Sequence, residues 1–305
     1  MPIKIPDDLP ARQNLEAEGM VVMTEADAIR QDIRPLRIGL LNLMPQKQKT
    51  ETQIARLIGA TPLQIDLTLI TTGSYVPGNV SRHHLSTFYC TWDEVKAEKF
   101  DGFIVTGAPV ETLPFEHVKY WDELRRIFDW TQTNVTSTLN ICWGGQAALH
   151  HFYGIEKYEL PQKMFGVFPH RVEQPTAPLM RGFCDTVLIP VSRHTENRRA
   201  EIEAVDGLTV LLDSEESGLC MVEDRARRQI YMFNHLEYDA WTLGDEYERD
   251  LREGLPIDLP RHYYPGDDPS KSAPNVWRSH GHLFIGNWID QAYQMTPFDP
   301  TLIGT

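Results

Sequence analysis

The feature that most constrains the fold of this sequence is an alternation of strand-like and helix-like segments between residues 35 and 155. The strand-like segments are apolar, whereas the helix-like segments carry apolar residues three and four positions apart. After residue 155 the sequence is rich in strand-like segments, with helix-like segments only at 240–251 and from 276 to about 293. This pattern predicts an α/β fold with a doubly wound, mostly parallel sheet that is flanked by helices.

The chain of 305 residues is long enough for one large domain. Residues 1–34 are polar and mixed in character, so we expect them to wrap the surface. The alternating pattern fills residues 35–296, which are predicted to form a single α/β domain. Residues 297–305 are predicted to be a C-terminal tail.

Charge and cysteine usage indicate which binding partners and which cellular compartment to expect. The net charge is −14, and nucleic acid binding needs clustered Lys and Arg, so no nucleic acid partner is expected. No segment approaches the ~18 apolar residues of a membrane span, and the opening residues do not resemble a signal peptide. None of the four cysteines belongs to a CxxC pair, which predicts free thiols in a reducing cytoplasm.

No metal and no bound cofactor are predicted. Histidines occur close together at three places, which are His83-His84, His150-His151 and His280 with His282. None of these pairs has a third ligand at a known metal-binding spacing, so we interpret them as structural or exposed residues.

Cys142 follows a predicted strand and precedes a predicted helix that begins with Gly144 and Gly145. Ligands in α/β sheets bind at the carboxyl ends of strands, and a tight strand-to-helix turn of this kind can expose a nucleophile. The unpaired N–H groups of the helix favour the thiolate, and the Trp143 N–H would face a substrate oxyanion. The alternative is a small buried apolar residue. That second interpretation applies to Cys90, Cys184 and Cys220.

A second candidate pair follows the predicted strand at residues 230–233. His235 and Glu237 are two residues apart, so they would share a face if the strand continued through them. A carboxylate can then orient an imidazole, and the imidazole can take a proton from a thiol or hydroxyl. The alternative is a surface histidine beside an unrelated acidic residue. Cys142 weakens that alternative, because both segments end strands of the same predicted sheet.

The segments NICWGGQAA and NHLEYD resemble the class I glutamine amidotransferase-like superfamily, although Asn140 stands where its G-x-C-x-G-x-Q pattern has the first glycine. A closer resemblance extends to about residue 295 and joins these motifs to the homoserine O-acyltransferases of methionine biosynthesis, the MetA type. The other motifs that carry it are MPIKIPDDLPA, IGLLNLMPQK, TGAPVE, KMFGVF, VSRHTE and WRSHGHLFIGNW. This resemblance implies a flavodoxin-like fold of the amidotransferase type and a homodimer.

The resemblance also implies roles for individual residues. Cys142 would carry the acyl group as a thioester, His235 would be the general base and acid, and Glu237 would orient His235. Substrate-binding positions of the family correspond to Lys163, Ser192 and Arg249 in this sequence. A guanidinium can bond both oxygens of a carboxylate, which suits Arg249 as a carboxylate clamp. The backbone of the Thr106–Val110 loop, at Gly107 and Ala108, is expected to complete the oxyanion site with Trp143.

Glu111 corresponds to the position that distinguishes acyl donors in this family. A small residue there implies succinyl-CoA and a glutamate implies acetyl-CoA. The physical argument agrees, because a glutamate repels the terminal carboxylate of a succinyl group and leaves an acetyl methyl unaffected. The alternative interpretation of Glu111 is a solvated loop residue.

The sequence therefore predicts a homoserine O-acetyltransferase that uses acetyl-CoA as co-substrate and L-homoserine as acceptor. Three alternatives remain at this point. They are the same enzyme with succinyl-CoA as donor, a glutaminase or amide hydrolase on the same scaffold, and a catalytically silent binding protein. Serine is an alternative acceptor, since one methylene is worth only ~1–3 kcal/mol in discrimination.

Overall fold

The computed structural model describes residues 3–6, 8–17, 22–23, 34–75 and 81–304. Its twelve strands are β1 Ile3–Lys4, β2 Val22–Met23, β3 Leu36–Leu41, β4 Ile65–Thr71, β5 Tyr89–Thr91, β6 Phe100–Val105, β7 Val135–Ile141, β8 Tyr158–Val172, β9 Thr186–Glu196, β10 Leu208–Ser214, β11 Gly218–Asp224 and β12 Gln229–Met232. Its helices are α1 Pro10–Ala17, α2 Lys47–Ile58, α3 Arg82–Phe88, α4 Trp92–Val95, α5 Trp121–Asn134, α6 Trp143–Tyr153, α7 Arg199–Glu203, α8 Thr242–Arg252 and α9 Arg278–Met295. Among these described helices, none has the length and apolar character needed to cross a membrane.

The centre of the sheet is parallel and runs in the order β4-β3-β6-β7-β12. Counted along the chain, these five strands have the order 2-1-3-4-5, which is that of flavodoxin-like sheets. The carboxyl ends of parallel strands meet at one edge, so the residues after β6, β7 and β12 come together there. The predicted doubly wound, mostly parallel sheet is confirmed.

An antiparallel extension continues the sheet from β12 through β11, β10, β8 and β9. Strands β8 and β9 form a long hairpin of fifteen and eleven residues. The His235 N–H, just after β12, donates a hydrogen bond to the Pro190 carbonyl in β9 at 2.9 Å. The long hairpin therefore lies beside the residues that follow β12.

Helices cover both faces of the sheet. On one face α2 and α9 pack against β3, and on the other α5 and α6 pack against β6 and β7. The deepest contact of α9 is Trp288, which is fully buried and donates from Nε1 to the Ser137 hydroxyl at 2.9 Å. A Cβ on Gly102 would lie 3.0 Å from its indole, so the glycine lets the helix approach. The final helix thus closes over one face of the sheet.

The described part of the N-terminal segment contributes to the core. β1 pairs in parallel with β4 at the edge of the sheet, and α1 packs against α2. Ile5, Leu9 and Leu15 are each at most 1% exposed. Apolar residues this sparse in a polar segment gave no periodicity strong enough to reveal their burial. The division into residues 1–34, 35–296 and 297–305 stays a prediction.

We expect Trp288→Ala to lower the free energy of unfolding by about 3–5 kcal/mol, because the substitution leaves a large cavity under α9. Urea denaturation would measure the change. Phe298→Ala is the control, since Phe298 is fully exposed and its removal should change stability by no more than about 0.5 kcal/mol. Equal effects of the two substitutions would contradict the packing of α9 described here.

Candidate active site

The backbone at Cys142 makes a tight turn between β7 and α6. Cys142 has φ 54° and ψ −124°, a backbone conformation that residues other than glycine rarely adopt. Its N–H donates to the Met232 carbonyl at the end of β12, with an N–O distance of 2.6 Å. The thiol is half-buried and stands at the N-terminus of α6. The predicted strand-to-helix elbow is present, and it is the kind of strained turn that concentrates at functional sites.

Two glycines allow the neighbouring backbone to approach this turn. A Cβ on Gly144 would lie 2.8 Å from the Thr106 carbonyl oxygen, closer than side-chain carbons come to such atoms. A Cβ on Gly107 would lie 3.0 Å from the Cβ of Cys142 and 3.4 Å from its Sγ. The loop after β6 therefore lies directly against the thiol, which is where the sequence placed Gly107 and Ala108.

The expected oxyanion donors are compatible with this geometry. Trp143 is the first residue of α6, and the first N–H groups of a helix have no intrahelical acceptor. Its indole is fully buried and packs edge-on against Tyr120, so the residue is anchored. Ala108 is buried in the loop that carries Gly107. The roles of Trp143, Gly107 and Ala108 as donors stay predictions.

His235 and Glu237 form a buried pair. His235 Nδ1 and Glu237 Oε1 are 2.6 Å apart, and both side chains are less than 10% exposed. The strand does not continue through them, because β12 ends at Met232 and a turn begins after His235. The turn still brings the two side chains together. Tyr238 stacks on the imidazole, with ring centroids 4.0 Å apart.

The electrostatics of His235 link it to the thiol. Burial alone lowers the pKa of His235, but the charges of Glu237 and Cys142, and hydrogen bonds to both side chains, raise that pKa well above its usual value near 6.5. Nδ1 is engaged by Glu237, which leaves Nε2 for Cys142. The geometry therefore favours a charged imidazolium that lies between the Cys142 side chain and the Glu237 carboxylate.

The three predicted substrate-binding residues converge on one carboxylate, that of Glu246 in α8. Lys163 Nζ lies 2.6 Å from Glu246 Oε1, the Ser192 hydroxyl donates to the Glu246 carboxylate at 3.0 Å, and Arg249 Nη2 lies 3.6 Å from Oε1. Lys163 and Arg249 also contact Asp250, at 3.3 and 2.6 Å. Two cations and two carboxylates thus form a cluster without net charge.

Glu111 lies in the loop after β6, and its side chain contacts the end of β9. Its Oε2 accepts the N–H of His194 at 2.9 Å and lies 3.5 Å from the Thr195 hydroxyl. The Thr195 hydroxyl also lies 2.9 Å from Gln146 Oε1 in the first turns of α6. A cavity of about 310 Å³ shares Thr195 with this group. The charged residues that line it are Glu116, Glu156, Glu159 and Lys157.

Comparisons with known proteins decide the family. A family model described as "Homoserine O-succinyltransferase" matches residues 2–298. The chain belongs to this family. A homoserine O-acetyltransferase of Hyphomonas neptunium is 59% identical over 304 residues, which span 100% of both chains. A homoserine O-acetyltransferase of Brucella canis is 58% identical over 304 residues, covering 100% of this chain and 99% of the relative.

Solved structures confirm the fold of this family member. A glutamine amidotransferase from Thermotoga maritima has a TM-score of 0.53 and 10% identity, covering 85% of this chain and 99% of that one. A glutamine amidotransferase from Methylobacillus flagellatus has a TM-score of 0.51 and 11% identity, covering 86% and 95%. The resemblance to the homoserine acyltransferase family is confirmed, and the fold is shared with these glutamine amidotransferases.

Two residues of the site escaped the sequence reasoning. The pKa of Tyr238 is raised well above its usual value by burial and by the charges of Glu246, Glu237, Cys142 and Glu111, so Tyr238 lies among all parts of the site. Glu246 is the carboxylate that Lys163, Ser192 and Arg249 all contact. The signal was available, since Tyr238 directly follows Glu237, and Glu246 lies three residues before Arg249, on the same helical face.

The remaining cysteines and histidines lie outside this arrangement. Cys220 is buried, Cys90 is half-buried and Cys184 is exposed, so the interpretation of Cys184 as a buried residue is wrong. The sequence around Cys184 has no period that could have fixed which way its side chain faces. His84 pairs with buried Glu51, and His151 pairs with Asp129. In the described ranges, no three metal-ligand side chains group together.

We expect the His235 imidazole to titrate above pH 6.5 in the free protein, since Glu237 and Cys142 raise its pKa. Imidazole nitrogen shifts, followed by NMR through a pH series, would measure the midpoint. Glu237→Gln removes one attracting charge, so the midpoint should fall. His170 is the internal control, because burial lowers its pKa to about 4. A midpoint for His235 at or below 6.5 would be inconsistent with the ion pair.

Proposed function

We propose that this protein is a homoserine O-acetyltransferase of L-methionine biosynthesis. The observation that carries the proposal is that full-length relatives at 58–59% identity bear that name. The match of the family model over residues 2–298 supports acyl transfer to homoserine. The contacts among Cys142, His235 and Glu237 supply the nucleophile, base and orienting carboxylate that such a reaction needs.

In the first step, the Cys142 thiolate attacks the thioester carbonyl of acetyl-CoA. The carbonyl oxygen becomes an oxyanion, which the backbone N–H groups at Trp143 and at Gly107 or Ala108 are placed to stabilise. The bond to the coenzyme A sulfur then breaks, and His235 gives its proton to that sulfur. The products are S-acetyl-Cys142, free coenzyme A and a neutral imidazole.

In the second step, neutral His235 takes the proton from the hydroxyl of L-homoserine. The hydroxyl oxygen attacks the acetyl carbonyl, the bond to Sγ breaks, and O-acetyl-L-homoserine leaves. Acetylation removes the Cys142 charge, which is one cause of the raised pKa of His235. The imidazole therefore gives up its proton more readily in the acetyl-enzyme than in the free enzyme, which suits its change of role between the steps.

The cluster around Glu246 is suited to the amino-acid end of the acceptor. Arg249 is 46% exposed at its side chain and can reach a carboxylate with its planar fork. Ser192 and Lys163 lie beside it with little exposure, and Glu246 offers a carboxylate for the substrate ammonium. Ser192 lies two residues after Pro190, whose carbonyl accepts the His235 N–H, so the acceptor hydroxyl can reach the imidazole.

Acetyl-CoA is the proposed donor, although the family model bears the name of a succinyltransferase. Glu111 is held by the His194 N–H, and its charge reaches Arg193 and Tyr238 beside Cys142. A succinyl carboxylate would be repelled by the charge of this glutamate. The alternative donor is succinyl-CoA. By the same family resemblance, we propose a homodimer in the cytoplasm.

Intact-mass spectrometry after mixing the protein with acetyl-CoA, without acceptor, tests the function. We expect a gain of one acetyl group that maps to Cys142 and is lost on adding L-homoserine. Cys142→Ser should show no thioester, whereas Cys184→Ser, which alters an exposed thiol, should behave as wild type. No acetylated enzyme, or glutamine hydrolysis without coenzyme A, would overturn the proposal.

Glu111→Gly should move donor preference toward succinyl-CoA by about tenfold or more, because removal of one carboxylate relieves at least ~1.4 kcal/mol of repulsion. The ratio of kcat/KM for the two donors measures this. Thr112→Gly is the matched control, since it adds the same backbone freedom one residue away without removing a charge. Equal turnover of both donors by the wild type would show that Glu111 does not select the donor.

A further inference from the structure

Arg193 is a buried cation next to the catalytic residues. It lies in β9 and is only 3% exposed. Its Nη1 donates to the Asn234 side-chain oxygen at 2.7 Å and to the Leu219 carbonyl at 3.0 Å, and its Nη2 donates to the Ser217 carbonyl. All of these acceptors are neutral, so a full positive charge is held in the interior by amide and carbonyl oxygens.

No carboxylate of the described residues forms an ion pair with Arg193, and its buried Nε has no hydrogen-bond partner there. Buried charges in proteins are normally paired, because an unpaired one loses its hydration without recovering it. Burial accordingly lowers the pKa of Arg193, and the charges of Cys220, Cys142, Glu196 and Glu111 act in the opposite direction.

Asn234 connects Arg193 to the catalytic histidine. Its side-chain oxygen accepts from Arg193, and its Nδ2 donates to His170 Nε2 at 2.8 Å. His170 Nε2 also accepts from the Ser217 hydroxyl at 3.1 Å, while its Nδ1 donates to the Phe168 carbonyl at 2.9 Å. Burial lowers the pKa of His170 to about 4, so His170 stays neutral and serves as the acceptor for Asn234.

This network fixes the chain segment that carries the base. Asn234 is fully buried and directly precedes His235, so both amide ends of Asn234 constrain the start of the catalytic turn. Side chains alternate along a strand, so Ser192 and Arg193 face opposite sides of β9. Ser192 contacts the cluster around Glu246, and Arg193 contacts the segment leading to His235. One strand therefore serves both substrate binding and base positioning.

We propose that Arg193 is a positioning residue for the catalytic pair, which holds the His235 turn through Asn234. The inference rests on the proposed function only in taking Cys142 and His235 as the reacting groups. The groups that face His235 from the elements around it are Glu237, Cys142 and the neutral phenol of Tyr238. Arg193 keeps its positive charge through the ordinary pH range, so its hydrogen bond to Asn234 persists there.

The test is the rate of Cys142 alkylation by iodoacetamide at one fixed pH, read by peptide mass spectrometry, together with kcat and KM. Arg193→Gln removes the donors that hold Asn234, so the His235 turn should loosen from the thiol, and the alkylation rate and kcat should each fall about tenfold or more. Arg193→Lys keeps the charge and loses the planar fork, so both readouts should stay low in it. KM for both substrates should change little in either variant.

Arg199→Gln is the matched control, because Arg199 is a surface cation of α7 paired with Glu203 and Asp213. It should leave both readouts as in the wild type. A folded Arg193→Gln protein with the alkylation rate and kcat of the wild type would overturn the proposal. If that variant does not fold, Arg193→Lys decides, since wild-type kcat in it would refute positioning. Alkylation needs no acyl donor, so a wrong donor or acceptor would leave this result intact.

Discussion

The parallel pairing of β6, β7 and β12 is the constraint on which the site depends. Cys142 keeps its left-handed conformation because its N–H is bonded to the Met232 carbonyl of β12 and its flanking backbone is pressed against the loop after β6. A turn that costs on the order of 1–3 kcal/mol persists only where its surroundings determine it from several sides. The sheet supplies these contacts, and the thiol lies at the edge where the carboxyl ends of the three strands meet.

A second property of the site is how its charges are arranged inside a strongly acidic chain. The protein carries a net charge of −14, yet two cations, Lys163 beside Glu246 and Arg193 beside Asn234, are largely shielded from solvent. Lys163 is neutralised by Glu246 and Asp250, whereas Arg193 is surrounded by neutral oxygens. The local field in the candidate site therefore differs from that of the whole protein, since screening weakens distant surface charges far more than buried ones.

Sequence patterns predicted the fold and the strand-to-helix turn at Cys142, because both follow from local rules. The strands alternate or run apolar, and a cysteine before two glycines fits a close strand-to-helix turn. The pairing of His235 with Glu237 was argued from a strand that continues past residue 233, whereas a turn brings the two side chains together. Tyr238, Glu246 and Arg193 depend on contacts between segments far apart in sequence, which no single-segment period encodes.

The cluster of Lys163, Arg249, Glu246 and Asp250 is already internally satisfied before any acceptor arrives. The proposed acceptor, with one positive and one negative end, would exchange places there with groups that are already paired. The net gain would be the difference between two sets of similar ion pairs, so selection would come from how the acceptor's length and hydroxyl fit between this cluster and the imidazole. A pocket of this kind discriminates by geometry.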